Sequence, residues 1–216
     1  MPEPSSTITS TADLLTLSRV VPVVVIKNAE QAVPLARALV RGGVGVIEIT
    51  LRTEAGLSAI ERVAAEVPEI VVGAGTVTTP EEAAKVTRAG AQFIVLPGSP
   101  ERLLSAAIDT GLPLLPGAST LTEMMRLSER GLTAMKFVPA EVSGGVGFIS
   151  AVMGPLPQLR FCPTGGISAK TAPNYLALAN VGCVGGSWLT PTDAVAANDW
   201  ARIESLAAEA AAIRPA

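Results

Sequence analysis

The stretch Ala134-Met135-Lys136-Phe137-Val138-Pro139-Ala140-Glu141 decides how the rest of the chain is read. It has the pattern of a short buried strand with an extended exit, because the residue before a proline is biased toward extended backbone. Period-two alternation places Ala134, Lys136 and Val138 on one face and Met135 and Phe137 on the other. Both faces are apolar apart from one lysine. That is the signature of a parallel strand covered on both sides, as in α/β proteins. Lys136 breaks the pattern. An ammonium buried without a partner is costly, and one relief is to surrender its proton. A neutral lysine is a nucleophile toward carbonyls and can form a Schiff base. The competing reading is a lysine with a buried stem whose head reaches water at a strand end.

Working outward, apolar strand-like runs recur at 20–26, 45–51, 70–75, 93–96, 113–116, 134–138, 159–162 and 182–186. Helical patterns fall between and after them, at 30–41, 54–66, 80–89, 100–110, 121–130, 145–153, 169–178 and 199–213. A short amphipathic helix over 11–19 precedes the first strand, with Ser10 or Thr11 as its cap. Pro80 and Pro100 suit a first helical turn, where no N–H is required. Gly42, Gly90, Gly111 and Gly131 suit helix C-termini. Eight strand–helix units, repeating at about 20–25 residues, imply a parallel sheet. The fold expected is an α/β (β/α)8 TIM barrel with a short N-terminal helix, one domain over residues 1–216. An open flavodoxin-like or Rossmann sheet is the runner-up. Gly73-Ala74-Gly75-Thr76-Val77-Thr78 resembles a dinucleotide fingerprint but lacks its third glycine.

Composition removes several function classes. Hydrophobic residues make up 49% of the 216 but aromatics only 3%, so the core is aliphatic. A net charge of −3 with no basic stripe argues against a nucleic-acid partner. No apolar run approaches the ~18 residues of a membrane span. The polar segment 1–10 lacks the basic and apolar parts of a signal peptide, and a cytoplasmic location is expected. Cys162 and Cys183 are too few for a disulfide framework and sit in apolar runs, as buried thiols do. There is no histidine. A Ser-His-Asp triad, a Cys-His pair and a His-ligated metal are excluded, and no metal or cofactor is expected. Proton transfer falls to Glu, Asp, Lys, Tyr, Cys or water.

In a barrel, chemistry sits at the C-terminal strand ends. Strand 45–51 carries Val46, Glu48, Thr50 and Arg52 on one face. Glu48 is a carboxylate inside a Val/Ile strand, either a general acid/base or half of a structural ion pair. Arg52 at the exit can clamp a carboxylate bidentately, or can be an exposed loop charge. Among the lysines, Lys85 and Lys170 lie on helix patterns, and Lys27 ends the first strand as a rival to Lys136. Thr76 follows Gly73-Ala74-Gly75, where small residues leave room for a ligand, and Pro97-Gly98 reads as a rigid turn walling the pocket. The last two strands run into Thr164-Gly165-Gly166 and Gly185-Gly186-Ser187. Paired glycines before a helix expose N–H groups to an anion, and these two loops are the usual phosphate site of a barrel; the competing reading is tight turns alone.

Together these segments resemble the bacterial 2-keto-3-deoxy-6-phosphogluconate (KDPG) aldolases, class I enzymes of the Entner–Doudoroff pathway. The matching segments are Val21-Pro22-Val23-Val24, Glu48 through Glu54, Gly73 through Val77, Met135 through Glu141, Arg160 through Ile167 and Gly185 through Leu189. They span nearly the whole chain. The resemblance implies Lys136 as the Schiff-base lysine and Glu48 as the proton shuttle. It implies Arg52 as the holder of the pyruvate carboxylate, with Thr76 a further contact. Pro97 and Val138 fall at pocket-wall positions, where relatives often carry Phe in place of Val138. Thr164, Gly165, Gly166, Gly185, Gly186 and Ser187 match the distal hydroxyl and phosphate end. The partner implied is a phosphorylated keto acid, and the assembly a homotrimer. Departures are Gly147, where relatives carry Lys, and Ser168-Ala169-Lys170-Thr171 at a helix start.

The resemblance implies cleavage of KDPG to pyruvate and glyceraldehyde 3-phosphate, and of 4-hydroxy-2-oxoglutarate to pyruvate and glyoxylate. The galactonate epimer is an alternative substrate. A phosphate-binding isomerase or epimerase with Glu48 as base, and a non-catalytic sugar-phosphate binder, are the rival classes.

Overall fold

The structure, a computed structural model, describes residues 10–215. The leader reading of the N-terminal segment therefore lies, but for Ser10, outside the described residues.

Strands β1 (Val20–Val24), β2 (Val46–Thr50), β3 (Val71–Gly75), β4 (Phe93–Val95), β5 (Leu114–Leu115), β6 (Gly117–Ala118), β7 (Ala134–Phe137), β8 (Arg160–Pro163) and β9 (Val184–Gly186) alternate with helices. The helices are α1 (Thr11–Leu17), α2 (Ala32–Arg41), α3 (Ala55–Glu66), α4 (Pro80–Arg88), α5 (Glu101–Asp109), α6 (Leu121–Glu129), α7 (Gly145–Val152), α8 (Ala172–Leu176), α9 (Thr192–Ala196) and α10 (Trp200–Ala211). Every strand pairing is parallel. The α/β class follows from strands apolar on both faces: β1, β2, β3 and β7 are buried at every position.

Hydrogen bonding divides the strands into a six-stranded sheet, in the order β5-β4-β3-β2-β1-β9, and a three-stranded sheet, β6-β7-β8. The parallel α/β architecture expected from the sequence is present, with its strands hydrogen-bonded as two sheets rather than one closed ring. The division falls within the single strand expected at 113–116, and Pro116 is the cause. A proline has no N–H to donate. Leu115 O accepts from Leu96 N on the β4 side at 3.1 Å, whereas Pro116 O accepts from Lys136 N in β7 at 2.8 Å. The two halves thus serve different neighbours. On the other flank, isolated bridges join Phe161 to Val181 and Thr164 to Gly185.

Several local expectations shift. Ser10 caps α1 through a reciprocal box with Asp13. Pro80 does open α4, behind a Thr79–Glu82 capping box, but Pro100 is the N-cap of α5 rather than a residue of its first turn. Gly42 is the C-cap of α2, as expected, and the left-handed residue is Gly43 after it, at φ 83°. Gly42 is needed for another reason: a Cβ there would lie 2.6 Å from Glu204 O, where α10 crosses α2. The helix expected over 169–178 shrinks to α8, because Ser168 and Thr171 hydrogen-bond each other's backbone N–H and hold the chain in a turn. Helix α9 has no counterpart in the sequence reading.

Helix α1 sits at the N-terminal ends of the strands. Thr11 Oγ1 donates to Leu114 O at 2.9 Å, and a Cβ on Gly182 would meet Leu15 at 2.8 Å. Leu14 and Leu15 are buried. The opposite, C-terminal end is left for the loops that carry the polar residues.

Candidate active site

Glu48 lies in the middle of β2 and Lys136 in the middle of β7, in different sheets. Their side chains nevertheless meet. Lys136 Nζ donates to Glu48 Oε1 at 3.0 Å and Oε2 at 3.2 Å. The two side chains are 7% and 3% exposed, so the pair is shielded from water. Two sheets can bring such residues together only by curling around a common interior. Gly75 on β3 makes the room: a Cβ there would collide with the Glu48 carboxylate.

This arrangement corrects the isolated buried ammonium considered from the sequence. Lys136 has a partner, and the proton it must lose to become a nucleophile has an acceptor already in hydrogen-bond contact. The ion-pair reading and the acid/base reading of Glu48 thereby describe one geometry. A buried pair is weak support for stability, since apolar residues fill such space as well. An amine and a carboxylate in a water-poor interior are, however, what imine chemistry requires.

Arg52 follows β2 and is exposed at its exit. Its Nε donates to Thr76 Oγ1 at 3.2 Å. Thr76, directly after β3, holds φ at 58°, a left-handed conformation unusual for a β-branched residue. Such outliers cluster at ligand sites. The guanidinium and the Thr76 hydroxyl thus sit side by side above Glu48, at the same strand ends.

The glycine-rich loops also converge. Thr164 is buried and bridges to Gly185. A Cβ on Gly185 would strike Thr164 Oγ1, so the glycine permits the contact. Gly165 and Gly166 take φ values of 107° and 80°, which only glycine adopts freely. They are held by the segment after β7: Ala140 N donates to Thr164 O at 2.8 Å and Glu141 N to Gly165 O at 3.1 Å. Tyr175 OH in turn donates to Glu141 Oε1 at 2.8 Å. Burial, then this hydrogen bond and the Glu141 charge, push the Tyr175 hydroxyl above the usual tyrosine range. Ser187 is exposed and lines a cavity with Lys27. Pro97 and Val138 stand at the exits of β4 and β7, exposed and half-buried respectively.

Lys85 and Lys170 are exposed on the surface, and so is Lys27, which has no carboxylate partner among the described residues. Lys136 is the lysine that the fold buries against an acid. The sequence reading gave no role to three groups here. Cys162 is the register partner of Lys136 across β7 and β8. Both cysteines are buried and interact: accepting a hydrogen bond from Cys183 holds the Cys162 thiol low, and donating it while buried pushes Cys183 well up. Glu141 and Tyr175 form the third group. Nothing local announced either the Lys136–Cys162 register or the Glu141–Tyr175 contact, since both depend on how the strands pair and the loops return. Among the described residues no three His, Cys, Asp or Glu side chains cluster to hold a metal, and no helix is long and apolar enough to cross a membrane.

Comparison with known proteins bears on this site. The sequence pattern of the KDPG and KHG aldolases matches residues 11–206. The KHG/KDPG aldolase of Escherichia coli strain K12 is 54% identical over 202 residues, covering 94% of this chain and 95% of its own. Among solved structures, KDPG aldolase from Legionella pneumophila, with pyruvate captured as a covalent carbinolamine intermediate, superposes with a TM-score of 0.92 at 41% identity. It covers 94% of this chain and 99% of its own. The 2-keto-3-deoxy-6-phosphogluconate aldolase of Zymomonas mobilis ZM4, with 3-phosphoglycerate, gives 0.90 at 41% identity, covering 95% and 97%.

Proposed function

Because the chain belongs to the KDPG and KHG aldolase family, we propose that its Lys136–Glu48 pair is the seat of a Schiff-base carbon–carbon lyase reaction. The enzyme is an aldolase that cleaves 2-dehydro-3-deoxy-6-phosphogluconate to pyruvate and glyceraldehyde 3-phosphate. Cleavage of 4-hydroxy-2-oxoglutarate to pyruvate and glyoxylate is the second activity, in keeping with the name of the E. coli relative.

Glu48 takes a proton from Lys136, and the freed Nζ attacks the C2 ketone. The carbinolamine formed loses water to give a protonated imine, with Lys136 nitrogen now bonded to C2. The imine accepts the electron pair of the C3–C4 bond as that bond breaks. Glu48, directly or through water, removes the proton of the C4 hydroxyl, and glyceraldehyde 3-phosphate leaves as the aldehyde. The remaining enamine takes a proton at C3, and water hydrolyses the imine to pyruvate and free lysine. Arg52 and Thr76 hold the keto-acid carboxylate, which fixes C2 beside Nζ; positioning of this kind is a large part of catalysis. Pro97 and Val138 wall the pocket. Thr164, Gly165, Gly166, Gly185, Gly186 and Ser187 bind the distal hydroxyl and phosphate through neutral donors.

The finer architecture supports this reading. We take the two sheets as halves of one (β/α)8 barrel: the break at Pro116 lies within one continuous segment, and the Thr164–Gly185 bridge joins the other flank. The family resemblance further supports a homotrimer and a cytoplasmic setting.

The observation that carries the proposal is the 3.0 Å contact between Nζ and carboxylate, both side chains buried from solvent. Reduction with borohydride in the presence of pyruvate tests it. The expected adduct is a reduced pyruvyl group on the peptide containing Lys136. No adduct, or one on Lys27, overturns the assignment.

A further inference from the structure

A cavity of about 400 Å³ opens between the exits of β1 and β9, and Val23, Val25, Lys27, Gln31, Ser187 and Thr190 are among its lining residues. Val23 is the register partner of Glu48, and Val21 that of Gly185. Alternation puts these odd-numbered residues of β1 on the face that Glu48 shares, and Lys27 continues that row beyond the strand end. Ser187 in its lining makes the cavity contiguous with the Gly185-Gly186-Ser187 loop, and Val23 places its wall on the strand next to the one that carries Glu48.

Its electrostatics are simple. Among the described residues, Lys27 is the only charged one in the lining. It is exposed, and among the described residues no carboxylate pairs with it. Gln31 cannot serve as a free donor, because its amide nitrogen already donates to Val195 O and Asn198 Oδ1, both at 2.9 Å. Those two bonds brace the cavity wall. The loops assigned above to the phosphate, from Thr164 to Gly166 and from Gly185 to Ser187, carry hydroxyls and N–H groups but no cation. A phosphate dianion gains most from a charge-assisted contact, and a lysine is a compact point charge suited to it. Ser187 belongs to both sets and marks where they join.

We propose that Lys27 is the cation that receives the substrate's phosphate, and that it sets the preference of this chain for phosphorylated over unphosphorylated aldehydes. The inference rests on the lyase reading and adds to it a specificity-determining residue outside the glycine loops. Lys27 makes no bond to the reacting carbons. Its effect falls on KM for phosphorylated partners.

The test uses the condensation direction, with pyruvate and either glyceraldehyde 3-phosphate or unphosphorylated glyceraldehyde. The readout is the ratio of kcat/KM for the two aldehydes in wild type, Lys27→Met, Lys27→Arg and Lys27→Glu. Loss of one charge-assisted phosphate contact at a partly exposed site lowers the ratio by about tenfold in Lys27→Met. The loss appears as a raised KM for glyceraldehyde 3-phosphate. Lys27→Glu lowers the ratio further, Lys27→Arg restores most of it, and competition by inorganic phosphate weakens in the same order. An unchanged ratio in Lys27→Met and Lys27→Glu overturns the proposal, as does an equal loss for both aldehydes. The side chain is exposed, so the variants fold, which a thermal melt verifies. Pyruvate trapping on Lys136 of the wild-type enzyme involves no phosphate. Its absence defeats the lyase reading, whereas its presence with an unchanged ratio defeats only the role of Lys27.

Discussion

Glu48→Gln tests the reaction centre most sharply, because it changes one charge and almost no volume. Lys136 Nζ loses a carboxylate at 3.0 and 3.2 Å and keeps at most one amide oxygen as acceptor. Breaking a buried ion pair by removing one partner costs about 3–5 kcal/mol. The retained acceptor puts the cost near the low end, about 3 kcal/mol. Against a total stability of about 5–15 kcal/mol the variant still folds. At this chain length each kcal/mol moves Tm by about 2–4 °C, so the melt falls by about 6–12 °C. Activity suffers more. In the proposed reaction the same carboxylate takes the proton from Lys136 and later the one from the C4 hydroxyl, and general acid–base catalysis contributes about 100- to 10,000-fold. Pyruvate release, followed through coupled lactate dehydrogenase, should slow by that factor, and borohydride trapping with pyruvate should become slow as well. A Glu48→Gln enzyme that melts like wild type and retains kcat within about tenfold would refute both the buried pair and the proton shuttle.

Three further outcomes follow from the geometry. Gly75→Ala drives a methyl group into the Glu48 carboxylate and should lower kcat at least about tenfold with a modest loss of stability, since overpacking typically costs about 1–3 kcal/mol; wild-type kcat in this variant would show that the carboxylate position does not matter. Gly185→Ala pushes on Thr164 Oγ1 at the distal end of the site, so it should raise KM for the phosphorylated substrate and leave pyruvate trapping on Lys136 intact, a split that steady-state kinetics and borohydride reduction read together. The Tyr175 hydroxyl titrates above the ordinary tyrosine value of 10.0, through burial and its bond to Glu141. Its contribution to stability is therefore full below pH 10.0 and is lost as pH rises beyond that. Tyr175→Phe should cost about 1 kcal/mol at neutral pH and flatten the alkaline limb of Tm against pH; an unaltered limb would count against the hydrogen bond.

Much of the fold was legible from local pattern. Strands buried on both faces announce themselves as unbroken Val/Ile runs, and the α/β alternation follows from them. The Ser10–Asp13 and Thr79–Glu82 boxes sit where short polar residues precede apolar periods. The odd residues of buried strands, Glu48 and Lys136, were visible because a charge in an apolar run needs a reason. Less visible was Pro116, whose missing N–H splits one expected strand into β5 and β6. Helix α9 is too short, at 5 residues, for its periodicity to stand out.

From the sequence alone, then, come the element order, the buried faces and the identity of the two anomalous charges, because each is a property of a few adjacent residues. Tertiary structure alone decides that these two charges, 88 positions apart, neutralise one another across the interior. It alone sets Cys162 beside Lys136, ties Glu141 to Tyr175, and leaves Lys27 without a carboxylate partner among the described residues, in a cavity shared with Ser187. The reason is physical: periodicity reports which face of an element is apolar, whereas which residues meet depends on strand order, register and the curl of the sheets.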